Sequence, residues 1–349
     1  MSTELFQYPP RIDITPLLIK NLFLEYERSD FIMKKFFPAS IQNILLLFYI
    51  FFLLISCGYQ DKWQTTTLLY FDTLCEIKLQ CPDKIFSSTL EEINTLFTRI
   101  EELFSPDSSH KDSGDVFKLF NIAKKIYSDS HGDFDITIAP LSHLWGFHNP
   151  PNRIPGQKEI IAALTSVGLD KINIHDETLS IPEGMNFDWG GIAKGFGVDR
   201  AVEICRKKGI PHGFINAGGD LFCWGNNPQG QLWKIGIKHP REEGFLGVLS
   251  ITESGAATTG DYQRYFIKEG IRYHHVLDPK TGYPAEGKQS VTVVGPETVF
   301  CDALSTALFV SEIPEKIIQK YREYSAVIVD SDGKLSFLGK KINFSAGPK

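Results

Sequence analysis

In the stretch "CDALSTALFV", Asp302 and Thr306 stand four residues apart among apolar neighbours, so a helix there puts a carboxylate and a hydroxyl on one face. Both are hard oxygen donors of the kind magnesium accepts, with backbone, water or phosphate oxygens completing the set. A plain polar helix face is the alternative. In "YHHVLDPKTGYPAEG", His274 and His275 are adjacent in a predicted strand and must point to opposite faces, so only one can serve a given site. A neutral imidazole there is a proton acceptor near neutral pH, against the alternative of a structural histidine.

Three glycine-bearing stretches could supply the surface on which such groups act. "FDWGGIAKGFGVDR" sets Gly190, Gly191 and Lys194 before a helix start. It is no P-loop, because no Ser or Thr follows the lysine. It is no dinucleotide fingerprint either, because Arg200 stands where the last glycine is needed. What remains is backbone that can approach a ligand closely and a helix N-terminus that can face an anion, or simply a tight strand-to-helix turn. "INAGGDLF" repeats the theme with Gly218 and Gly219 between Asn216 and Asp220; together the two turns suit a groove for an extended polar ligand such as a dinucleotide. "ATTGDYQRYF" places Thr258, Thr259, Gly260 and Asp261 at a predicted further turn, as caps or as ligand contacts.

The elements that must hold these groups follow from periodicity. Thr65 to Leu79 is rich in β-branched and aromatic residues and reads as an opening strand or hairpin. A helix follows, with Leu90, Ile93, Leu96, Phe97, Ile100 and Leu103 at helical intervals and a capping-box spacing at Ser88 and Glu91. Further helices are expected over about 116–127, 157–166, 194–208, 298–310 and 313–323, and the segment 131–156 reads as an ordered loop. Short strands near Ile172 and Leu179 come before the glycine stretch, a strand-and-turn region fills 212–295, and Asp332-Gly333 turns a last hairpin. Without a regular βαβ rhythm, the fold class expected is α+β.

The 349 residues carry a net charge of -6, which argues against a broad grip on nucleic acid phosphates. Near the start, "MKKFFPASIQNILLLFYIFFLLISC" runs from two lysines through an apolar stretch to Leu54-Ile55-Ser56-Cys57, the order of an export signal. The apolar run, 44–55, falls short of the roughly 20 residues a spanning helix needs. Its end resembles a bacterial lipobox, which predicts acylation at Cys57, a lipid anchor and a periplasm-facing exported protein. Met33 is a natural start for this segment, so residues 1–32 read as an upstream extension, 33–57 as the signal peptide, 58–66 as a tether and 67–349 as the working domain. Cys75, Cys81, Cys205, Cys223 and Cys301 include no C-x-x-C pair, which leaves a zinc cluster unsupported; buried apolar thiols are expected, with a Cys75–Cys81 bridge as the alternative.

Taken together and in order, "DFDITIAPLSHLWGF", "FDWGGIAKGFGVD", "INAGGDL", "TTGDYQRYF", "HHVLDPKTGYP" and "DALSTAL" resemble the ApbE-type FAD:protein FMN transferases over most of residues 67–340. The resemblance implies an α+β fold related to the T-fold, with mixed, largely antiparallel sheets, flanking helices and two lobes around an FAD cleft. It implies FAD as substrate, Mg2+, and a target redox protein with an acceptor Thr or Ser, such as a subunit of a membrane electron-transfer complex. It assigns metal binding to Asp302, Thr306 and a carbonyl near Ala193, and catalysis to His275 and Asp302. For FAD it assigns Thr73, Asp135, Trp145, Asp188, Gly190, Gly191, Lys194, Asn216, Gly218, Gly219, Asp220, Thr259, Gly260 and His275. One departure is visible: where the family commonly has Met-Gly-Thr, this chain has Phe71-Asp72-Thr73. The same site with water as acceptor would be an FAD pyrophosphatase, and a flavin-binding lipoprotein is the non-catalytic alternative.

Overall fold

The strands pair antiparallel throughout, and the reason they read as near-continuous apolar runs is that the largest sheet is covered on both faces. A computed structural model describes residues 62–105, 114–147, 150–175 and 178–347; Cys57 and the predicted extension and signal segment lie outside them. The strands are β1 Trp63–Tyr70, β2 Thr73–Gln80, β3 Asn173–His175, β4 Thr178–Ser180, β5 Gly213–Ala217, β6 Asp220–Trp224, β7 Trp233–Lys238, β8 Phe245–Ile251, β9 Ser254–Gly260, β10 Tyr265–Lys268, β11 Ile271–His274, β12 Lys288–Gly295, β13 Ser325–Asp330, β14 Leu335–Gly339 and β15 Phe344–Ala346. The helices are α1 Asp83–Phe104, α2 Gly114–Asp129, α3 Ala139–Trp145, α4 Gln157–Leu164, α5 Ala193–Lys207, α6 Thr298–Val310 and α7 Pro314–Ile318. This is the expected α+β class, with an eight-stranded sheet in the order β1-β2-β5-β6-β9-β12-β13-β14 and a three-stranded sheet β15-β8-β7.

Alternation along the central strands decides which face each residue serves. Ile215, Phe222, Val291, Val293, Ala326 and Ile328 face the layer of α1, α2, α5 and α6, while Phe214, Leu221, Cys223, Val294 and Val327 face the small sheet. In α1 the spacing of Ile93, Phe97, Ile100 and Phe104 makes the buried stripe. That helix starts earlier than the sequence suggested. Pro82 is the N-cap, and the Ser88 hydroxyl donates to the Ile85 carbonyl inside the helix, so no capping box forms there. Ile85 and Phe86 pack on the apolar layer and draw the first turn forward.

Two more expectations change. The supposed loop 131–156 contains a 3-10 turn, Ile136–Ile138, running into α3, which ends on Gly146 in the left-handed region. The residues 258–260 form the last part of β9 rather than a turn, held there by β12, while β6 pairs with 254–256 of the same strand. Small residues there let α6 settle on the sheet, since a Cβ at Gly255 would stand 2.6 Å from Thr298 Oγ1. The hairpin at Asp332-Gly333 forms as expected. The cysteines at 75, 81, 205, 223 and 301 are all buried free thiols. Among the described residues no helix is long and apolar enough to cross a membrane.

Candidate active site

A cavity of about 720 Å³ opens between the glycine stretch, the β1–β2 turn, the C-terminal end of α1, the segment 133–143 and α6. Its innermost corner is where α5 meets α6. The Gly195 amide donates to Asp302 Oδ2 at 3.0 Å. A Cβ at Gly195 would stand 2.6 Å from the Thr298 carbonyl, so this glycine is required by close approach of the helices. Asp199, one turn further along α5, accepts from the Thr298 and Val299 amides at 2.9 Å each and so caps α6, which has no side-chain cap of its own. Burial pushes the Asp199 carboxyl up to about 6.

The corner gathers the predicted polar groups. Thr306, one turn beyond Asp302, lies 3.0 Å from Thr259 Oγ1, which is also 2.6 Å from Ser305 Oγ. Lys194 Nζ sits 2.8 Å from Asp220 Oδ2 and 3.9 Å from Asp302 Oδ2, and donates to the Gly190 carbonyl at 3.0 Å. Burial, then the charge of Asp220, hold the Asp302 carboxyl well above the usual carboxylate range. Burial works against the Lys194 charge, but the carboxylates of Asp220 and Asp302 outweigh it and raise the ammonium. A buried carboxylate crowded by a second one, with hydroxyls close by, is a donor set that a divalent cation would relieve. Among the described residues no cluster of three His, Cys, Asp or Glu side chains could hold a metal alone, so the remaining donors would be hydroxyl, carbonyl, water or phosphate oxygens.

The histidine pair separates as alternation requires. His275 lines the cleft, its amide donating to the Arg264 carbonyl at 3.0 Å and its Nδ1 without a hydrogen-bond partner among the described residues. Burial and the neighbouring His274 lower it to about 4, so its ring is neutral at pH 7. His274 faces the core, with Nε2 2.9 Å from the Ala285 carbonyl and its ring edge-on to Phe309.

The other predicted residues divide into liners and supports. Thr73, Gly190, Gly191, Ala193 and Gly218 line the cleft, and Gly218, at φ 65°, packs so closely on Thr73 that a Cβ would meet its Oγ1 at 2.5 Å. Asp188 holds the glycine loop, accepting from the Gly190 amide at 2.9 Å and from Ser142 Oγ at 3.0 Å. Asp135 reaches the wall, but its carboxylate is taken by Thr137 and by the Leu169 amide, which makes it the cap of the 3-10 turn. Trp145 is fully buried behind the wall, donating from Nε1 to the Gly282 carbonyl, and does not line the cavity. Gly260 does not line it either: it lies beneath the Tyr262 ring at the end of β9. Asn216 and Gly219 form their own turn, the amide of Gly219 donating to Asn216 Oδ1 at 2.8 Å, and line a neighbouring groove instead.

Sequence reasoning gave no role to Gln263 and Arg264, which also line the cleft. Their signal was only their place in "DYQRYF". The departure Phe71-Asp72 forms the two-residue turn between β1 and β2, both residues at positive φ (57° and 54°). The Phe71 ring covers Gly197 and Phe97, and Asp72 lies 3.7 Å from Arg264 across the mouth.

The ApbE family model matches residues 71–328. The chain is 35% identical over 210 residues to the FAD:protein FMN transferase of Haemophilus influenzae, covering 57% of this chain and 60% of that protein. It therefore spans less than two thirds of that relative. It is 27% identical over 332 residues to the protein of the same name from Treponema pallidum, covering 84% of this chain and 90% of that one. Among solved structures, the ApbE protein of Thermotoga maritima superposes with a TM-score of 0.74 at 30% identity, covering 79% of this chain and 97% of its own. The flavin transferase ApbE of Vibrio cholerae gives 0.71 at 25% identity, with 79% and 96% covered.

Proposed function

The chain belongs to the ApbE family, and from that premise we propose that it is a magnesium-dependent FAD:protein FMN transferase acting on a threonine or serine of another protein. The observation that carries this reading is the convergence, in one cleft, of the Asp302–Thr306 oxygen corner and the neutral ring of His275, whose Nδ1 has no hydrogen-bond partner among the described residues. Asp302, Thr306 and backbone near Ala193 would hold the metal, which when bound supplies charge neutralisation at the pyrophosphate.

The chain's own residues do the rest. Gly190, Gly191 and Gly218 keep side chains out of the ligand's way, and Lys194, fixed by Asp220, presents a fixed positive charge to the phosphates. His275 takes the proton of the acceptor hydroxyl as that oxygen bonds to the phosphorus on the FMN side. The bond from this phosphorus to the bridging oxygen breaks, and AMP leaves with the electron pair. The apolar side chains of Phe104, Phe134 and Phe187 exclude water around the site.

Incubating the full chain with FAD, magnesium and a candidate exported redox protein, then weighing that protein intact, tests the reading. A gain of one FMN less water supports it. Free FMN and AMP with an unmodified acceptor would make the enzyme an FAD pyrophosphatase, and untouched FAD would leave a flavin-binding protein. The order of basic, apolar and lipobox residues before Cys57 supports export and lipid anchoring. Loss of membrane association in a Cys57→Ala variant is the expected result.

A further inference from the structure

A second cavity, of about 500 Å³, lies against the face of the eight-stranded sheet opposite the helices. Leu221 and Ala256 form part of its floor, and it joins the catalytic cleft at Gly218, Thr258 and Gln263, which line both. One wall is the unbroken run from Lys234 to Lys238 in β7. Among the described residues that strand ends its sheet and pairs only with β8, so the wall is an open backbone edge whose outward amides and carbonyls can accept another strand. The exposed Lys234 and Lys238 make no ion pair among the described residues. Lys234 Nζ lies 2.6 Å from Ser250 Oγ and Lys238 Nζ lies over the Tyr262 ring.

We infer that this groove docks the acceptor polypeptide as an extended acidic segment: it pairs with the edge of β7, its carboxylates meet Lys234 and Lys238, and its hydroxyl residue turns over Gly218 into the cleft. This rests on the transferase reading. Backbone pairing gives reach without demanding a sequence, and the lysines select for negative charge. The continuity of the two cavities explains how a bulky protein substrate meets a phosphorus deep in the first.

The test uses the full chain with FAD, magnesium and two short synthetic peptides, each with a central threonine flanked by aspartates or by lysines; FMN transfer is read by mass. The aspartate peptide should show the lower KM, by about tenfold, and the double variant Lys234→Glu/Lys238→Glu should reverse that preference with FAD affinity unchanged. N-methylating the peptide backbone, which leaves the protein untouched, should also raise KM about tenfold. An unchanged KM in both comparisons overturns the inference, and a tenfold loss of FAD affinity in the double variant assigns the groove to the nucleotide instead. If neither peptide is modified, the docking inference fails alone when a whole acceptor protein still gains FMN, and both readings fail when it does not.

Discussion

The α5–α6 corner and the rim beside the β10–β11 hairpin, where Arg264 and His275 line the same cleft, hold their groups by opposite means. In the corner, the helices touch at Gly195 and are tied through Asp199 and Asp302, so a buried charge sits where neither helix can shift alone. The rim carries a two-stranded hairpin that, among the described residues, pairs only with itself and exposes Tyr265, Ile267 and Ile271. His275 stands at its base, where the chain turns back toward the core. The difference separates two tasks: electrostatics needs preorganised groups, while a group that meets a protein substrate needs access.

The sharpest way to break this contrast is to empty the corner. Asp302→Ala should lower FMN transfer by about 10³-fold or more, since the several kcal/mol a metal site supplies correspond to a decade for each ~1.4 kcal/mol. Intact-mass assay of the acceptor reads the loss, and near-normal transfer would remove the corner from the chemistry.

At the rim the two adjacent histidines give a matched pair. His275→Gln should lower kcat by about 100-fold, the low end for a general base because a ring at about 4 is a weak proton acceptor. His274→Gln should leave kcat near normal and lower stability by about 1–3 kcal/mol, through the lost contact with the Ala285 carbonyl. The sign of the pH effect follows from burial. Since His275 is lowered, its base form persists as pH falls from 7 to 5 and is lost only on passing through about 4. An acid limb near the ordinary histidine range that disappears in His275→Gln would contradict the lowered imidazole, whereas one that survives the substitution belongs to another group, such as the raised carboxyls of Asp199 or Asp302.

Gly195→Ala sharpens the corner's side with a smaller effect. The added Cβ meets the Thr298 backbone rather than a yielding side chain, so thermal unfolding should report a loss of about 1–3 kcal/mol. Retained stability would mean that the helices separate more readily than their ties suggest.

The same contrast decides what the sequence revealed. Asp302 and Thr306 were legible because helical spacing alone puts them on one face, and the α+β class was legible because strands and helices fail to alternate. Which of His274 and His275 faces the cleft depends on how the hairpin turns back, a long-range fact that alternation leaves open. Asp199 was in plain view in the quoted glycine stretch, yet its partners lie about a hundred residues on. Asp135 lines the cleft while its carboxylate caps the 3-10 turn, and Trp145 stands behind the wall with Nε1 donating to the Gly282 carbonyl, a distant partner that no local pattern reveals. The β9 threonines looked like a turn because small polar residues signal turns; pairing with Thr292 and Val291 of β12 outweighs that local preference.

The smallest effect concerns the cleft mouth, where Phe71 and Asp72 both take left-handed backbone in the β1–β2 turn. A turn with two positive φ values favours glycine at its second position, and an L side chain there carries strain. Asp72 is largely exposed and its 3.7 Å contact with Arg264 is an open surface pair, so little offsets that strain. Asp72→Gly should therefore raise stability by up to about 1 kcal/mol, less whatever the glycine adds to the freedom of the unfolded chain. FAD affinity should stay within about twofold, because a surface pair of this kind contributes well under 1 kcal/mol. Thermal unfolding and a flavin fluorescence titration on the same preparation read both. A large fall in FAD affinity would show that the Asp72–Arg264 contact holds the rim over the ligand, and would move the mouth from the accessible side of the comparison to the preorganised one.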